Sequence, residues 1–379
     1  MMPAVPEVSY AIILTRGVER AASAVRSVAA QTPDGELLLV LNDADDEMRA
    51  YARALAAGGA RILHDGADLG VVHGWNLALR EAGAAHVCIV HEDSELRPGC
   101  AARLLRTLRE RPDAGAVGPR VLLGSGAAKQ GWIIWSDGAA SRIDATTATA
   151  PHAVDYASSA CLMVDREVAL GVGGFDARFF PAIYVDASLA VALWQAGRVV
   201  LCDPRAEHFH HTGAAVDAAC GPRHGERFRR FMLERNRARF RDAFADWLGG
   251  QAERADAADA SHPGAAELRD AQKRTRAREL RAGAAHGEIA PLEDRLTLPH
   301  DLEAETARLR RELEDAFMSE LIDREQALER ETTGLHRAYA ELHGELDRVH
   351  GEYAALQEDQ QRLRELAPSS PRRSWRQRA

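Results

Sequence analysis

The sequence predicts an α/β domain with a parallel, doubly wound sheet over its first 250 residues, followed by a long helical extension. Two patterns indicate the sheet: short apolar runs alternate with amphipathic stretches, and the connections between them are short. A third pattern indicates the extension, because leucine or valine recurs every seven residues from position 321 to position 363. We therefore expect a compact α/β unit and a coiled coil.

The first part of the chain shows the alternation of strands and helices most clearly. Strands are predicted at residues 8–14, 37–41, 61–63 and 86–90, and helices at residues 19–30, 48–57 and 71–84. The run at 37–41 is almost entirely apolar, as expected for a strand that is covered on both faces. Gly58 and Gly59 are typical of a helix C-terminus and are expected to end the second helix.

The elements that follow are more interrupted. Strands are predicted at residues 116–123, 154–156, 161–164 and 198–202, and helices at residues 103–109, 186–197 and 224–248. The segment 124–152 is rich in Gly, Ala, Ser and Thr, a composition that predicts a mobile surface excursion. Trp132 and Trp135 lie inside it, where they either cover another part of the molecule or pack the loop down.

Composition and charge narrow the class of protein. Lys and Arg number 48 against 57 Asp and Glu, so the net charge of −9 argues against nucleic acid as the main partner. The five cysteines are odd in number and widely spaced, which fits a reducing compartment. No segment approaches the ~20 apolar residues of a membrane span. A cytoplasmic protein with at most peripheral contact at the inner face of the membrane is expected.

Polar side chains collect where the predicted strands end, which is the edge at which open α/β sheets bind ligands. Asn42 and Asp43 follow the second strand, and they could accept hydrogen bonds from a nucleobase or cap the next helix. His91, Glu92 and Asp93 follow the fourth strand. Acidic residues there could hold a divalent cation and a pyrophosphate, or they could form a turn and the start of a helix.

Two further clusters lie in the second half of the domain. Asp186 follows a Tyr-Val pair at the start of a predicted helix, where an acidic residue is favoured by the helix dipole alone. His208, His210 and His211 follow a strand and precede Gly213. Imidazole together with carboxylate suits a borderline divalent ion such as manganese, although histidines in a loop are more often merely solvated.

The order and spacing of many short pieces carry a family resemblance. The pieces are Ala29-Ala30-Gln31-Thr32, Leu41-Asn42-Asp43, Asp68-Leu69-Gly70 with Asn76, Val90-His91-Glu92-Asp93, Val117-Gly118-Pro119, Ser159-Ala160-Cys161-Leu162, Gly173-Gly174-Phe175-Asp176 with Phe179-Phe180, Asp186, the histidine cluster and Glu234-Arg235-Asn236-Arg237. In this order they resemble the inverting family 2 glycosyltransferases of the GT-A fold, particularly the bacterial rhamnosyltransferase-like branch. The resemblance covers residues 8–248 and implies a Rossmann-like mixed sheet with helices on both faces.

The resemblance also implies a donor site for a nucleoside diphosphate sugar. Asn42 or Asp43 would lie at the nucleobase, and Asp68 and Asn76 would lie near the nucleotide. Glu92 belongs to the same binding segment, next to the last carboxylate of the family's DxD motif.

A divalent metal, Mg²⁺ or Mn²⁺, is implied together with a catalytic base. Asp93 matches the last carboxylate of the DxD motif, His91 stands at its first position, and His210 or His211 would be a further metal ligand. Asp186 matches the family's catalytic base, which would deprotonate the acceptor hydroxyl.

The implied function is transfer of a sugar from a nucleoside diphosphate sugar to a hydroxyl of a saccharide or lipid-linked acceptor, as in polysaccharide and cell-wall biosynthesis. The departures at His91 and at Val185 leave a second hypothesis, a degenerate glycosyltransferase-like module that acts in assembly through its coiled coil.

The expected organisation has four parts: a glycosyltransferase domain at 1–250, an Ala-rich charged linker at 251–297, a coiled coil at 298–366 and a basic disordered tail at 367–379. The coiled coil predicts a homo-oligomer or docking to another coiled-coil protein.

Overall fold

The computed structural model describes residues 6–31, 35–124, 126–144, 148–211, 225–252 and 296–366. The chain divides into two compact units, Met1–Glu312 and Leu313–Ala379. Most of the predicted linker, the whole basic tail and Cys220 lie outside the described residues. The first unit holds the sheet and also the beginning of the last helix.

Eleven strands within the described residues form one sheet. They are β1 Ser9–Leu14, β2 Glu36–Asn42, β3 Arg61–Gly66, β4 His86–His91, β5 Ser94–Leu96, β6 Ala114–Leu123, β7 Ala128–Ile134, β8 Ala140–Asp144, β9 His152–Ala153, β10 Cys161–Asp165 and β11 Val199–His210.

The α-helices of the same residues are α1 Val18–Ala29, α2 Asp46–Ala57, α3 Gly70–Glu81, α4 Cys100–Glu110, α5 Arg166–Gly171, α6 Val185–Gln195, α7 Gly225–Ala243, α8 Ala245–Ala252 and α9 Leu302–Leu366. The side chain of Asp45 accepts a hydrogen bond from the backbone N of Met48, which caps the start of α2.

The main path of the sheet runs β3-β2-β1-β4-β10-β6-β11-β5. The first four strands of this path are parallel, so their carboxyl ends meet at one edge. Strand β10 is antiparallel to both β4 and β6, which makes the sheet mixed. The expected mixed α/β sheet with flanking helices and a long C-terminal helix is confirmed.

Strand β1 is buried along its whole length, and the neighbouring β2 is buried from Leu38 to Asn42. The β2 side chains of Leu38, Leu39 and Val40 are completely shielded from solvent. Each buried aliphatic side chain of this size contributes about 1.5–3 kcal/mol. Helix α3 lies close on β1, since a Cβ added to Gly74 would stand 2.7 Å from the Cδ1 atom of Ile13. This close packing fixes the start of α3 beside the strand ends.

The prediction of a mobile excursion at 124–152 is wrong for its described residues, because β7 and β8 form an antiparallel hairpin there. The ring of Trp132 stacks on Tyr156 with centroids 5.4 Å apart. Trp135 is buried, and its Nε1 donates a hydrogen bond to Ser141 Oγ at 2.8 Å. The two tryptophans therefore pack the hairpin down, which was one of the two alternatives.

Three smaller predictions also need correction. Residues 154–156 form no strand and contribute one isolated bridge, between Tyr156 and Trp132. The single helix predicted at 224–248 is two helices, α7 and α8, separated at Phe244. Strand β11 is much longer than predicted and continues through the histidines to His210, because β5 and β6 both pair with that part of it.

Among the described helices, none combines the length and the apolar character that crossing a membrane requires. The second unit consists of helical residues in its described part, 313–366. The predicted leucine row is exposed along it: Leu328, Leu335, Leu342, Leu356 and Leu363 each show 63–68% of their surface to solvent.

Candidate functional site

A pocket lies at the carboxyl edge of the parallel strands. Its lining comes from the ends of β1, β2 and β4 and from the start of α3, and it comprises Ile13, Thr15, Asn42, Asp68, Val71, Trp75, His91 and Glu92. Ligands of open α/β sheets bind at this edge. Four of the residues predicted from the sequence, Asn42, Asp68, His91 and Glu92, therefore meet in one place.

The two residues that follow β2 differ in their surroundings. Asn42 is buried; its Oδ1 accepts a hydrogen bond from the backbone N of Leu69, and its Nδ2 donates one to Gly70 O, both at 3.3 Å. Asp43 is exposed, and its carboxylate pairs with Arg16 at 3.0 Å. Asn42 thus shapes the pocket wall, while Asp43 lies at the surface.

Asp68 and Asn76, which were predicted together near the nucleotide, lie in different places. Asp68 lines the pocket, and its Oδ1 accepts a hydrogen bond from the backbone N of Gly70 at 2.7 Å. The Asn76 amide bonds the backbone of Phe175 in both directions, at 2.8 and 2.7 Å. Asn76 does not line the pocket, and these contacts instead tie α3 to the segment that contains Phe175.

Glu92 is held by a residue that the sequence did not single out. The backbone N of Thr15 donates to Glu92 Oε2 at 2.8 Å, and the Thr15 hydroxyl donates to Oε1. Burial raises the pKa of Glu92 to about 7, although the bonds from Thr15 act in the opposite direction. Glu92 is therefore fixed across the ends of β1 and β4 and is partly protonated near neutral pH.

Three predicted metal ligands converge beside the pocket. The ligating atoms of His91, Asp93 and His210 all lie within 4.8 Å of one another. Asp93 Oδ1 is 3.8 Å from His91 Nδ1 and 3.4 Å from His210 Nε2. Asp93 is buried, and within the described part of the chain neither of its carboxylate oxygens completes a hydrogen bond of ordinary geometry.

The protonation states of this cluster suit metal binding. Burial raises the pKa of Asp93, but the neighbouring imidazoles of His210 and His91 outweigh that effect and lower the pKa to about 2. Burial lowers the pKa of His91 to about 4, with Asp93 opposing the shift. At neutral pH the cluster therefore offers an ionised carboxylate and a neutral imidazole, the forms that coordinate metals.

Strand pairing brings the cluster together and separates its two candidate histidines. In the antiparallel pair of β5 and β11, His210 lies opposite Ser94, directly after Asp93. His211 is exposed, and its Nε2 pairs with Glu95 Oε1 at 3.1 Å. His210 is therefore the histidine that joins Asp93, and His211 stays outside the cluster.

Asp186 lies at the start of α6 near this cluster. Its Oδ1 accepts a hydrogen bond from the backbone N of Ala187 at 3.0 Å, and its Oδ2 accepts one from Ser159 at 3.4 Å. The hydroxyl of the same Ser159 lies 3.5 Å from His91 Nε2. Ser159 thus bridges the predicted base and the predicted metal ligands, a role that the sequence did not reveal.

The surroundings of Asp186 make its carboxyl more basic. Part of its surface remains accessible, but protein atoms surround it closely, and this burial raises its pKa to about 6 against the three backbone hydrogen bonds. Such a carboxylate is ionised at neutral pH and is a stronger proton acceptor than an ordinary aspartate.

The turn that leads into Asp186 is strained. Ile183 and Tyr184 both have left-handed backbone conformations, with φ of 71° and 69°. Such non-glycine residues cost on the order of 1–3 kcal/mol each and are found mainly at functional sites. Asn236 holds the turn by donating to the carbonyl oxygens of Ala182 and Ile183 at 2.9 Å. The turn that Asn236 holds therefore fixes where α6 begins, and with it the position of Asp186.

The donor set of the cluster fits a divalent ion. Two imidazole nitrogens and one carboxylate suit manganese and other borderline ions better than Mg²⁺, which prefers oxygen ligands throughout. The buried Asp93 oxygens without a hydrogen-bond partner in the described residues are the specific observation that supports this fit.

Part of the chain that forms this site is similar to a known protein family. Residues 12–170 match the family model described as "Glycosyl transferase family 2". No curated protein matches the sequence.

Two solved structures illustrate the structural similarity. One is "Crystal structure of GalNAc-T7 with UDP, GalNAc and Mn2+", with 14% identity, a TM-score of 0.50, and coverage of 68% of this chain and 58% of that chain. The other is the mannosyltransferase PcManGT from Pyrobaculum calidifontis in complex with GDP-Man and Mn²⁺, with 17% identity, a TM-score of 0.44, and coverage of 76% and 77%.

The present chain spans just over half the length of GalNAc-T7, and at 14% identity the similarity concerns the fold. The family match is the stronger finding, because it runs from β1 into α5 and includes the pocket, Asp93 and Ser159. Residues 12–170 therefore resemble the family 2 glycosyltransferases, and the sheet domain has a GT-A-like fold.

Proposed function

We propose that the protein is an inverting glycosyltransferase that moves a sugar from a nucleoside diphosphate sugar to a hydroxyl of a saccharide or lipid-linked acceptor. The observation that supports this most directly is the placement of Asp186 beside the cluster of His91, Asp93 and His210, with Ser159 between them. A proton acceptor and a candidate metal site thus adjoin one pocket at the edge of a GT-A sheet.

The donor nucleoside is proposed to bind where Asn42, Asp68 and Glu92 line the pocket, with Asp43, the exposed residue next to Asn42, as a further contact. Asn76 contributes indirectly, through the segment that its amide holds. From the order of its motifs we also propose that the chain belongs to the rhamnosyltransferase-like branch of the family and acts in polysaccharide or cell-wall biosynthesis.

His91, Asp93 and His210 would hold the divalent ion, Mn²⁺ or Mg²⁺. When bound, such an ion supplies positive charge that neutralises the diphosphate leaving group. The GT-A structure of GalNAc-T7 contains UDP and Mn²⁺, which agrees with this assignment.

Asp186 is proposed as the catalytic base. Its carboxylate takes the proton of the acceptor hydroxyl while that oxygen forms a bond to the anomeric carbon of the donor sugar. The bond from the anomeric carbon to the diphosphate breaks on the opposite face, so one displacement inverts the configuration. The raised pKa of Asp186 makes its carboxylate a better proton acceptor at this step.

A donor screen tests the proposal. We expect a nucleoside diphosphate at about 100 times its Kd to raise the midpoint of thermal unfolding by roughly 5 °C or more when Mn²⁺ is present, with a smaller rise in Mg²⁺. The nucleobase of the diphosphate that binds should also be the nucleobase of the donor that gives glycosyl transfer or donor hydrolysis. Absence of both a thermal shift and turnover across donors of all common bases would refute the proposed function.

The C-terminal helix is proposed to form a coiled coil between copies of this chain. Five leucines at seven-residue spacing each expose more than 60% of their surface in the single chain, which is unfavourable unless another helix covers them. A row of this kind seven heptads long is the pattern that a helical partner buries.

We expect the full chain to have the mass of a dimer or a larger oligomer in light scattering. Substituting Leu335→Glu together with Leu342→Glu should dissociate it, because two charges would then be buried in the seam. The control is Ala340→Glu together with Ala354→Glu, which adds the same charge to the outer face of the helix. A monomeric wild-type chain would exclude self-association.

A further inference from the structure

The first three turns of α9 belong to the same compact unit as the sheet and contact the wall of the pocket. The Nη2 atom of Arg310 lies 2.5 Å from Asp68 Oδ2 and 3.3 Å from the backbone oxygen of Asp68. The Arg310 guanidinium also lies over the ring of Phe180, 5.5 Å from its centroid. Arg310 therefore engages the predicted donor-site residue Asp68 through two contacts and Phe180 through a third.

A second contact from the same segment supports the first. Glu303 Oε1 accepts a hydrogen bond from the backbone N of Ala67 at 3.4 Å. The loop at 67–70 is thus held from the helix side at two neighbouring residues. From the sheet side, Asn42 holds the same loop through Leu69 and Gly70. The loop is fixed between the end of β2 and the beginning of α9.

These contacts change the role of Asp68. Its Oδ1 accepts a hydrogen bond from the backbone N of Gly70, and its Oδ2 pairs with Arg310. Both carboxylate oxygens are therefore engaged before any ligand arrives. Asp68 shapes the pocket by fixing its loop, and its carboxylate is not a free acceptor for ribose hydroxyls.

We infer that Arg310 is a positioning residue for the nucleoside part of the donor, so that the segment carrying the coiled coil completes the nucleotide pocket. The inference rests on the proposed function, since it names how that site is assembled. Arg310 acts through Asp68 and the loop at 67–70, and it does not touch the reacting atoms. Donor affinity is then linked to the presence of the first turns of α9.

The physical reason is the cost of leaving a shielded carboxylate without its counter-charge. Asp68 exposes only 19% of its side chain, and Arg310 only 33%. Without the guanidinium, turning toward water lowers the free energy of the Asp68 carboxylate. This movement opens the loop at 67–70. Donor binding must then re-form the loop, which weakens affinity, while Asp186 and the metal ligands keep their places.

The test uses the full chain and compares Arg310→Ala with Arg308→Ala. Arg308 lies on the same helix, and among the described residues its ion pairs are with Glu305 and Glu312 of that helix. The probes are the common nucleoside diphosphates, ADP, CDP, GDP, dTDP and UDP, with Mn²⁺, and binding is measured by calorimetry. We expect Arg310→Ala to weaken binding of the wild-type nucleotide about tenfold and to raise the donor KM more than it lowers kcat. Arg308→Ala should stay within about twofold of wild type.

Two further variants separate positioning from a general loss of structure. Arg310→Gln keeps most of the side chain and should show the same split between KM and kcat. Adding Asp68→Asn to Arg310→Ala should restore part of the affinity, because no uncompensated charge remains. Unchanged or tighter nucleotide binding in Arg310→Ala, with wild-type binding intact, overturns the inference alone. Failure of the wild-type chain to bind any of these nucleotides overturns the proposed function as well.

Discussion

Asp186→Asn is expected to lower kcat by about 10²- to 10⁴-fold while the protein stays folded, because the amide cannot take the proton of the acceptor hydroxyl. The asparagine oxygen can still accept the hydrogen bond from the backbone N of Ala187, and the 3.4 Å bond from Ser159 is the one that is lost, so the start of α6 keeps its geometry. The measurement is steady-state turnover at saturating donor and acceptor, with circular dichroism as the check on folding. Donor binding should change little, which places the loss in the chemical step.

Glu167→Gln is the matched control, since Glu167 is also an acidic residue in the first turn of a helix but is exposed. It should keep full turnover. An Asp186→Asn variant with wild-type kcat would remove Asp186 from the mechanism.

The pH dependence of turnover is an independent test of the Asp186 carboxyl. With a pKa of about 6, the Asp186 carboxyl becomes protonated on acidification, and turnover should fall about tenfold for each pH unit below that value. Asp186→Asn should lose this limb of the pH profile. A profile that stays flat down to about pH 5 would contradict the assignment of the base.

The free energy of unfolding should respond to pH in the direction opposite to turnover. The folded-state pKa is raised above the unfolded value, so the group favours the folded state below the unfolded pKa, and that contribution is lost as the pH rises through about 6. At neutral pH the ionised carboxylate costs at most about 3 kcal/mol. Asp186→Asn should therefore raise the free energy of unfolding at neutral pH and have little effect below about pH 4.

The sequence could predict the alternating part of the fold but not the direction of its later strands. Apolar periodicity located β1 to β4 and the helices between them, because buried strands and amphipathic helices leave distinct patterns. Periodicity carries no information on strand direction, so the reversed β10 was implied only by the family resemblance. The β7–β8 hairpin was missed because its flanking Gly, Ala, Ser and Thr residues resemble a loop in composition.

The individual residues of the site were easier to predict than their connections. Thr15 bonds Glu92 across 77 positions, and Arg310 reaches Asp68 across 242, so local sequence gives no sign of either contact. The choice between His210 and His211 as the metal ligand could have been made from the sequence. Side chains alternate along a strand, so His208 and His210 share a face and His211 points to the other. Their rings confirm this, with the centroids of His208 and His210 6.1 Å apart.

The unusual motif at His91 also has a structural explanation. Where the family's DxD motif has a carboxylate, this chain has an imidazole. Its ring stacks on Trp75 with the ring centroids 6.0 Å apart, and its Nδ1 lies 3.8 Å from Asp93 Oδ1. Burial keeps that imidazole neutral, and Asp93 is ionised at neutral pH, so the negative charge among the three side chains comes from Asp93. That carboxylate therefore supplies all of the negative charge that the three ligands offer a cation.

Asp93→Ala is consequently expected to remove metal binding and to lower Mn²⁺-supported turnover by at least about 100-fold, since several kcal/mol of transition-state stabilisation depend on the ion. The direct measurement is calorimetric titration of the chelator-treated full chain with Mn²⁺. The wild-type protein should bind, and the variant should not. Two imidazoles remain in the variant, and without an anionic partner they hold a hard or borderline divalent ion poorly.

Glu95→Ala is the control for Asp93→Ala, because Glu95 lies two residues further along, carries the same charge and pairs with His211 outside the cluster. It should bind Mn²⁺ as the wild type does. If Asp93→Ala also retained Mn²⁺ affinity, the ion would have to bind elsewhere, and the buried Asp93 oxygens would need another partner. If it lost Mn²⁺ yet kept its turnover, charge neutralisation of the leaving group would have to come from the protein's own cations.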